Sequence, residues 1–137
     1  MKGVEMGQIA AVLGAINAAL AIVAAAFGTH GLEAQVAAEV ITARQLSAFE
    51  TGAEHHLYHA IALVLVVLAN HRAPKGTATL LSVAGWLFLV GILLFSGSLY
   101  LYGALDMTTL IWVTPIGGMA NIAGWLVLAY GLFRIGR

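Results

Sequence analysis

Three of the five histidines in this chain fall within five consecutive positions. His55 and His59 are spaced i,i+4, so on a helix they share a face, and His56 lies on the adjoining stripe. With Glu54 beside them and His30 from an earlier segment, they offer the imidazole and carboxylate groups that suit zinc, copper, nickel or iron. The His-Glu-x-x-His order of zinc peptidases is absent. A bis-histidine haem would need facing imidazoles, for example His30 and His59. Hydrogen-bonded structural histidines are the competing reading, and no cofactor is the expectation. Asn17, Asn121, Ser96, Ser98 and Thr114 are the other polar candidates, each inside or beside an apolar run. There is no phosphate loop, dinucleotide fingerprint or nucleophile elbow. The absence of cysteine excludes disulfides, thiol catalysis and zinc–cysteine or iron–sulfur sites. No residue is assigned a catalytic role.

The elements that must position these residues are unusually apolar. Hydrophobic residues make up 61% of the 137 and charged residues 9%, against about 25% charged in soluble domains. Mean hydropathy is +0.96. Six basic residues balance six acidic ones, which leaves no footprint for nucleic acid. The chain reads as one membrane domain over 1–137. Its class is all-α: an integral membrane four-helix bundle, antiparallel and up-down, with spans at about 7–27, 52–70, 79–102 and 108–133. Ala73-Pro74-Lys75-Gly76 and Gly103-Ala104-Leu105-Asp106 make short connections of the kind that join antiparallel neighbours.

An amphipathic helix is predicted over about 33–53, between spans one and two, because Val36, Val40, Ala43, Leu46, Phe49 and Ala53 recur at helical spacing. It would be a lid or a plain interfacial connector. With no proline from Leu32 to Ala73, it can run on into the second span near Gly52. Lys2 and Ala24-Ala25-Ala26 imitate a secretory signal, but the apolar run is too long and further spans follow, so it is read as a retained span. Lys2, Arg72, Lys75, Arg134 and Arg137 fall on one side of this topology and only Arg44 on the other. The positive-inside rule then puts both termini in the cytoplasm, with a bacterial inner membrane as the expected location.

Depth sharpens the polar set. His59 lies about eleven residues from the end of its span, roughly 16 Å at helical rise, and so near mid-membrane. Its ring is expected to point inward and bond to Ser96, Ser98, Thr114 or His30, since an amide or imidazole facing hydrocarbon has no partner. Asn17 and Asn121, each near a span centre, are expected to meet or to share a partner as interhelical glue. Gly7, Ala11, Ala15 and Ala19, flanked by Gly14 and Ala18, form one small-residue ridge; Gly117, Gly118, Ala120 and Gly124 form another. Either ridge would serve an intrachain contact or a homodimer seam. Pro115 predicts a kink near the outer end of the fourth helix. Trp86, Trp112, Tyr100, Tyr102 and Tyr130 fall near span ends, where amphipathic rings suit the headgroups.

Several runs occur in a characteristic order: Phe27 to Gly31, Leu57-Tyr58-His59-Ala60-Ile61-Ala62-Leu63, Gly85-Trp86-Leu87-Phe88, and Gly91 through Leu-Phe-Ser-Gly-Ser-Leu to Tyr100. Thr114-Pro115-Ile116-Gly117-Gly118 and Gly124-Trp125 follow. In these the chain resembles the small bacterial inner-membrane proteins grouped as domain of unknown function 423, which have mitochondrial relatives. The resemblance spans nearly the whole chain. It implies four spans, with His30, His59, Ser96, Ser98, Thr114 and Pro115 at motif positions, and it implies no established activity. Thr29 stands where Ala is expected, and Glu54-His55-His56 where the family pattern tends to Arg-Tyr-Gln. A metal site on His55 or His56 would therefore be particular to this chain. The expected function is a non-enzymatic structural, accessory or oligomeric membrane component. Its partners would be the lipid bilayer and a second copy or larger membrane complex. The alternatives are a small-molecule, ion or proton pathway through the His/Asn/Ser cluster, and metal or haem binding.

Overall fold

A computed structural model describes the backbone of residues 2–136 and the side chains of residues 10–136. Gly7 of the first ridge and the basic Lys2 and Arg137 lie outside the residues whose side chains are described. The described chain is helical, with four stretches long and apolar enough to cross a membrane: Ala10–Ala37, Ala43–Asn70, Lys75–Leu105 and Thr108–Ile135. Each has at least 28 residues, about 42 Å at helical rise, so turns project beyond a core about 30 Å thick.

The first helix, α1 (Lys2–Phe27), passes without interruption through a wider π turn at Gly28–Leu32 into α2 (Glu33–Ala37). Glu39, with φ 58°, then reverses the chain. Thr42 starts α3 (Ala43–Asn70) with a capping box: its hydroxyl accepts from the Gln45 backbone N–H, and the Gln45 side chain accepts from the Thr42 N–H. The amphipathic stretch is thereby divided. Residues 33–37 prolong the first span, and 43–53 are the opening turns of the same helix that carries His55, His56 and His59. The Thr42 cap sets that division, and the lack of a proline lets α3 run straight through Gly52.

Pro74 precedes α4 (Lys75–Gly91), which continues through a second π turn at Ile92–Ser96 into α5 (Gly97–Leu105). Asp106, with φ 55°, ends α5 and accepts a 3.3 Å hydrogen bond from the Gln45 side chain, tying this connection to the start of α3. A 3-10 turn at Thr108–Trp112 leads to α6 (Thr114–Ile135). Pro115 occupies the first turn of α6, where its missing N–H has no intrahelical partner to lose. It stands where the fourth span, Thr108–Ile135, changes from the 3-10 turn to the α-helix near its outer end.

α3 is central, with α1 on one side and α4 and α5 on the other; α6 packs on α4 and on the Ile92–Ser96 turn. Contact register falls on one helix as it rises on its neighbour. Gly14 faces Val64 and Gly28 faces Phe49; Gly117 faces Phe95, Gly124 faces Phe88 and Gly131 faces Leu81. The core lies among α3, α4 and α6, around Ala62, Leu63, Val66, Leu81, Ala84, Phe88, Ile92 and Leu128.

Candidate functional site

Among the described residues, a side-chain hydrogen-bond array that joins three helices centres on His56 of α3. Its Nε2 meets Asn17 Oδ1 on α1, and its Nδ1 lies 3.0 Å from the Tyr100 hydroxyl on α5. An amide oxygen only accepts, so Nε2 carries the proton and Nδ1 accepts from Tyr100. The chain Tyr100–His56–Asn17 therefore joins three helices with one neutral imidazole satisfied at both nitrogens. Sequence pattern showed Asn17 and His56 separately but cast Tyr100 as a headgroup aromatic. Tyr102 also turns inward and is buried, whereas Trp86, Trp112 and Tyr130 are exposed.

His59 does point inward, being only 5% exposed. Its bond, however, is to its own helix: Nδ1 lies 2.6 Å from the His55 carbonyl. None of Ser96, Ser98, Thr114 or His30 is its partner. A carbonyl four residues back is within reach at every position in a helix, and the rest of the ring is surrounded by Phe88 and Trp125, with centroids at 5.6 and 6.2 Å. His55 repeats the pattern, Nδ1 lying 3.0 Å from the Thr51 carbonyl, with its ring against Phe95.

The remaining polar residues separate into pairs and orphans. Ser98 donates to the Phe95 carbonyl at 2.9 Å, so the 2.7 Å bond between Ser98 and Thr114 is donated by Thr114. That bond fastens α5 to the first residue of α6. Asn17 and Asn121 do not meet, because α1 packs on α3 while α6 packs on α4. Asn121 instead lies on Gly91, where an added Cβ would overlap its amide. Asn121 Oδ1 and Ser96 Oγ are buried without a hydrogen-bond partner among the described residues. His30 is exposed on the first π turn, and Glu54 accepts from the Tyr58 hydroxyl.

The proposed metal ligands His30, His55, His56, His59 and Glu54 do not come together. Among the described residues no three His, Cys, Asp or Glu side chains could share an ion. The cause is geometric: His30 lies at the surface, both His56 nitrogens are engaged, and His55 and His59 each commit Nδ1 to backbone.

The family model described as protein of unknown function (DUF423) matches residues 24–118. The chain belongs to this family. It is 42% identical over 118 residues to the UPF0382 membrane protein YwdK of Bacillus subtilis, covering 85% of this chain and 89% of that one. A UPF0382 membrane protein of Haemophilus influenzae is 38% identical over 120 residues, covering 88% and 90%. One from Staphylococcus saprophyticus is 37% identical over 125 residues, covering 90% and 96%. These relatives are named as membrane proteins, and neither their names nor the family description carries an enzymatic activity. No solved structure matches the chain.

Proposed function

We propose that this DUF423 protein is a non-enzymatic component of the bacterial inner membrane, acting as an accessory or oligomeric subunit without a cofactor. The observation that carries this is His56. Its two nitrogens are spent on Asn17 and Tyr100, as expected of a fastener between helices and not of a group that must give up and regain protons. The Ser98–Thr114 bond acts likewise at the α5–α6 junction. The Ala10–Ala37 span is the least buried of the four, which leaves its outward face for lipid, a second copy or a larger complex. Orientation with both termini cytoplasmic is supported by the register of Leu81 with Gly131. It brings the Arg72–Lys75 connection and Arg134 toward one end, with Arg44 at the other.

The deciding experiment is ion flux into proteoliposomes together with thermal stability in detergent. The parent and His56→Leu vesicles should leak protons and cations no faster than empty vesicles, and His56→Leu should melt earlier. Flux above the empty-vesicle rate that His56→Leu abolishes would replace this reading with an ion pathway.

A further inference from the structure

A cleft of about 600 Å³ opens between α1 and α4, and Gly14, Asn17, Leu63 and Val66, already met in the helix contacts, form part of its lining. This lies within the range of about 300–1,000 Å³ typical of small-molecule sites. α3 forms its floor through Leu63 and Val67, and Leu13 and Leu89 line the walls. Gly14 and Gly85 keep those walls low. A Cβ at Gly85 would make only ordinary contact with Val66, at 3.4 Å, so a larger side chain there has the open cleft to enter. One end is polar, with Asn70, His71 and Ser82. The Asn70 amide reaches Ser82 Oγ at 3.4 Å, while its Oδ1 is buried and has no donor among the described residues. The connection leaving this end carries Arg72 and Lys75, both exposed and neither paired with a carboxylate among the described residues.

We infer that this cleft holds one anionic phospholipid, its acyl chain along the apolar walls and its phosphate at the Arg72–Lys75 connection. An apolar trough with two unpaired cations at its polar end matches an acyl chain followed by a phosphate, and the Asn70 acceptor beside them can take a hydrogen bond from a hydroxyl of the headgroup that the phosphate carries. Basic residues next to a span attract anionic headgroups in this way. The inference shares with the proposed function only the membrane setting, since its test reads lipid selectivity and not ion flux.

The test uses the purified full chain in mild detergent. Phosphatidylglycerol and phosphatidylcholine of identical acyl chains are titrated in turn, with bound lipid counted by native mass measurement and melting followed in parallel. One phosphatidylglycerol should be retained per chain and should raise the melting temperature more than phosphatidylcholine does. Arg72→Gln with Lys75→Gln should keep the fold and lose about thirtyfold in phosphatidylglycerol affinity. Gly85→Leu should fold and lose both lipids. Equal binding of the two lipids by the parent would overturn the inference, as would parental lipid binding by Gly85→Leu. Full stabilisation by glycerol phosphate alone would also overturn it by showing a headgroup site without an acyl chain.

Discussion

α6 reaches α4 and the turn beyond it through glycine, whereas α1 reaches α3 through looser contacts and a polar bond. Gly117, Gly124 and Gly131 recur every seven residues, so they line one seam. A Cβ at Gly117 would collide with the backbone nitrogen of Phe95 and come within 2.8 Å of the Leu94 carbonyl carbon. At Gly124 and Gly131 it would meet Phe88 and Leu81 side chains at 2.7 Å. On α1, a Cβ at Gly14 would come no nearer than 3.0 Å, to a Val64 methyl, and 3.5 Å from the Val64 backbone nitrogen; on the π turn, one at Gly28 would meet the Phe49 ring at 3.2 Å. Ala15 and Ala19 of the predicted ridge face outward. Lipid tails compete equally for apolar surface, so a membrane helix must gain from close packing or from hydrogen bonds. α6 takes the first route, and α1 relies on Asn17 and His56 to supply the second.

The glycine seam should be the harder one to disturb without loss. Gly117→Ala sets a methyl against backbone, which no rotamer change relieves, so α6 must shift as a unit. The expected cost is about 3 kcal/mol, the upper part of the usual range for overpacking. Gly131→Ala meets the movable end of Leu81 and should cost about 1 kcal/mol. Thermal denaturation of both variants in the same detergent checks the ordering. If both substitutions cost the same, backbone proximity is not what distinguishes this seam.

The polar seam predicts a smaller effect with a different signature. His56→Leu removes two hydrogen bonds and leaves Asn17 Oδ1 and the Tyr100 hydroxyl without their partner, for a loss of about 2 kcal/mol. Tyr100→Phe removes one bond and should cost about 0.6–1 kcal/mol. In a double-mutant cycle the two changes should be less than additive, because the second removes a bond already lost. Strict additivity would show that His56 and Tyr100 are not coupled.

These seams also show how far residue patterns could be followed. The four apolar stretches and the inward-facing His59 were legible, because hydropathy and helical spacing are local; the Thr42 cap was passed over, and the stretch over about 33–53 was read as one helix across it. The glycines were visible as a small-residue run, but Gly131 belongs with Gly117 and Gly124 only once α4 supplies the facing surface. Tyr100 as the partner of His56 was not legible. Residues 44 positions apart meet through the register of α3 on α5, which depends on the sum of many packing contacts. His59 shows the converse. Depth predicted burial, but it could not choose between a hydroxyl on another helix and the His55 carbonyl already at hand.

The smallest expected effect is at Ser96, and its sign is informative. The side chain is fully buried on the Ile92–Ser96 turn, and its hydroxyl has no hydrogen-bond partner among the described residues. Two residues on, Ser98 is also buried, but its hydroxyl joins Phe95 and Thr114. Alanine at either site removes one oxygen and leaves a similarly small void, so packing changes alike and only the hydrogen bonds differ. Ser98→Ala should destabilise by about 1 kcal/mol, since Thr114 loses its acceptor. Ser96→Ala relieves a buried polar group and should leave stability unchanged or raise it by up to about 1 kcal/mol. Melting temperatures of the two variants, measured side by side, make the comparison. A Ser96→Ala variant that melts as early as Ser98→Ala would mean that the Ser96 hydroxyl is bonded in the membrane, to water or to a second molecule, and that this turn is a site in its own right.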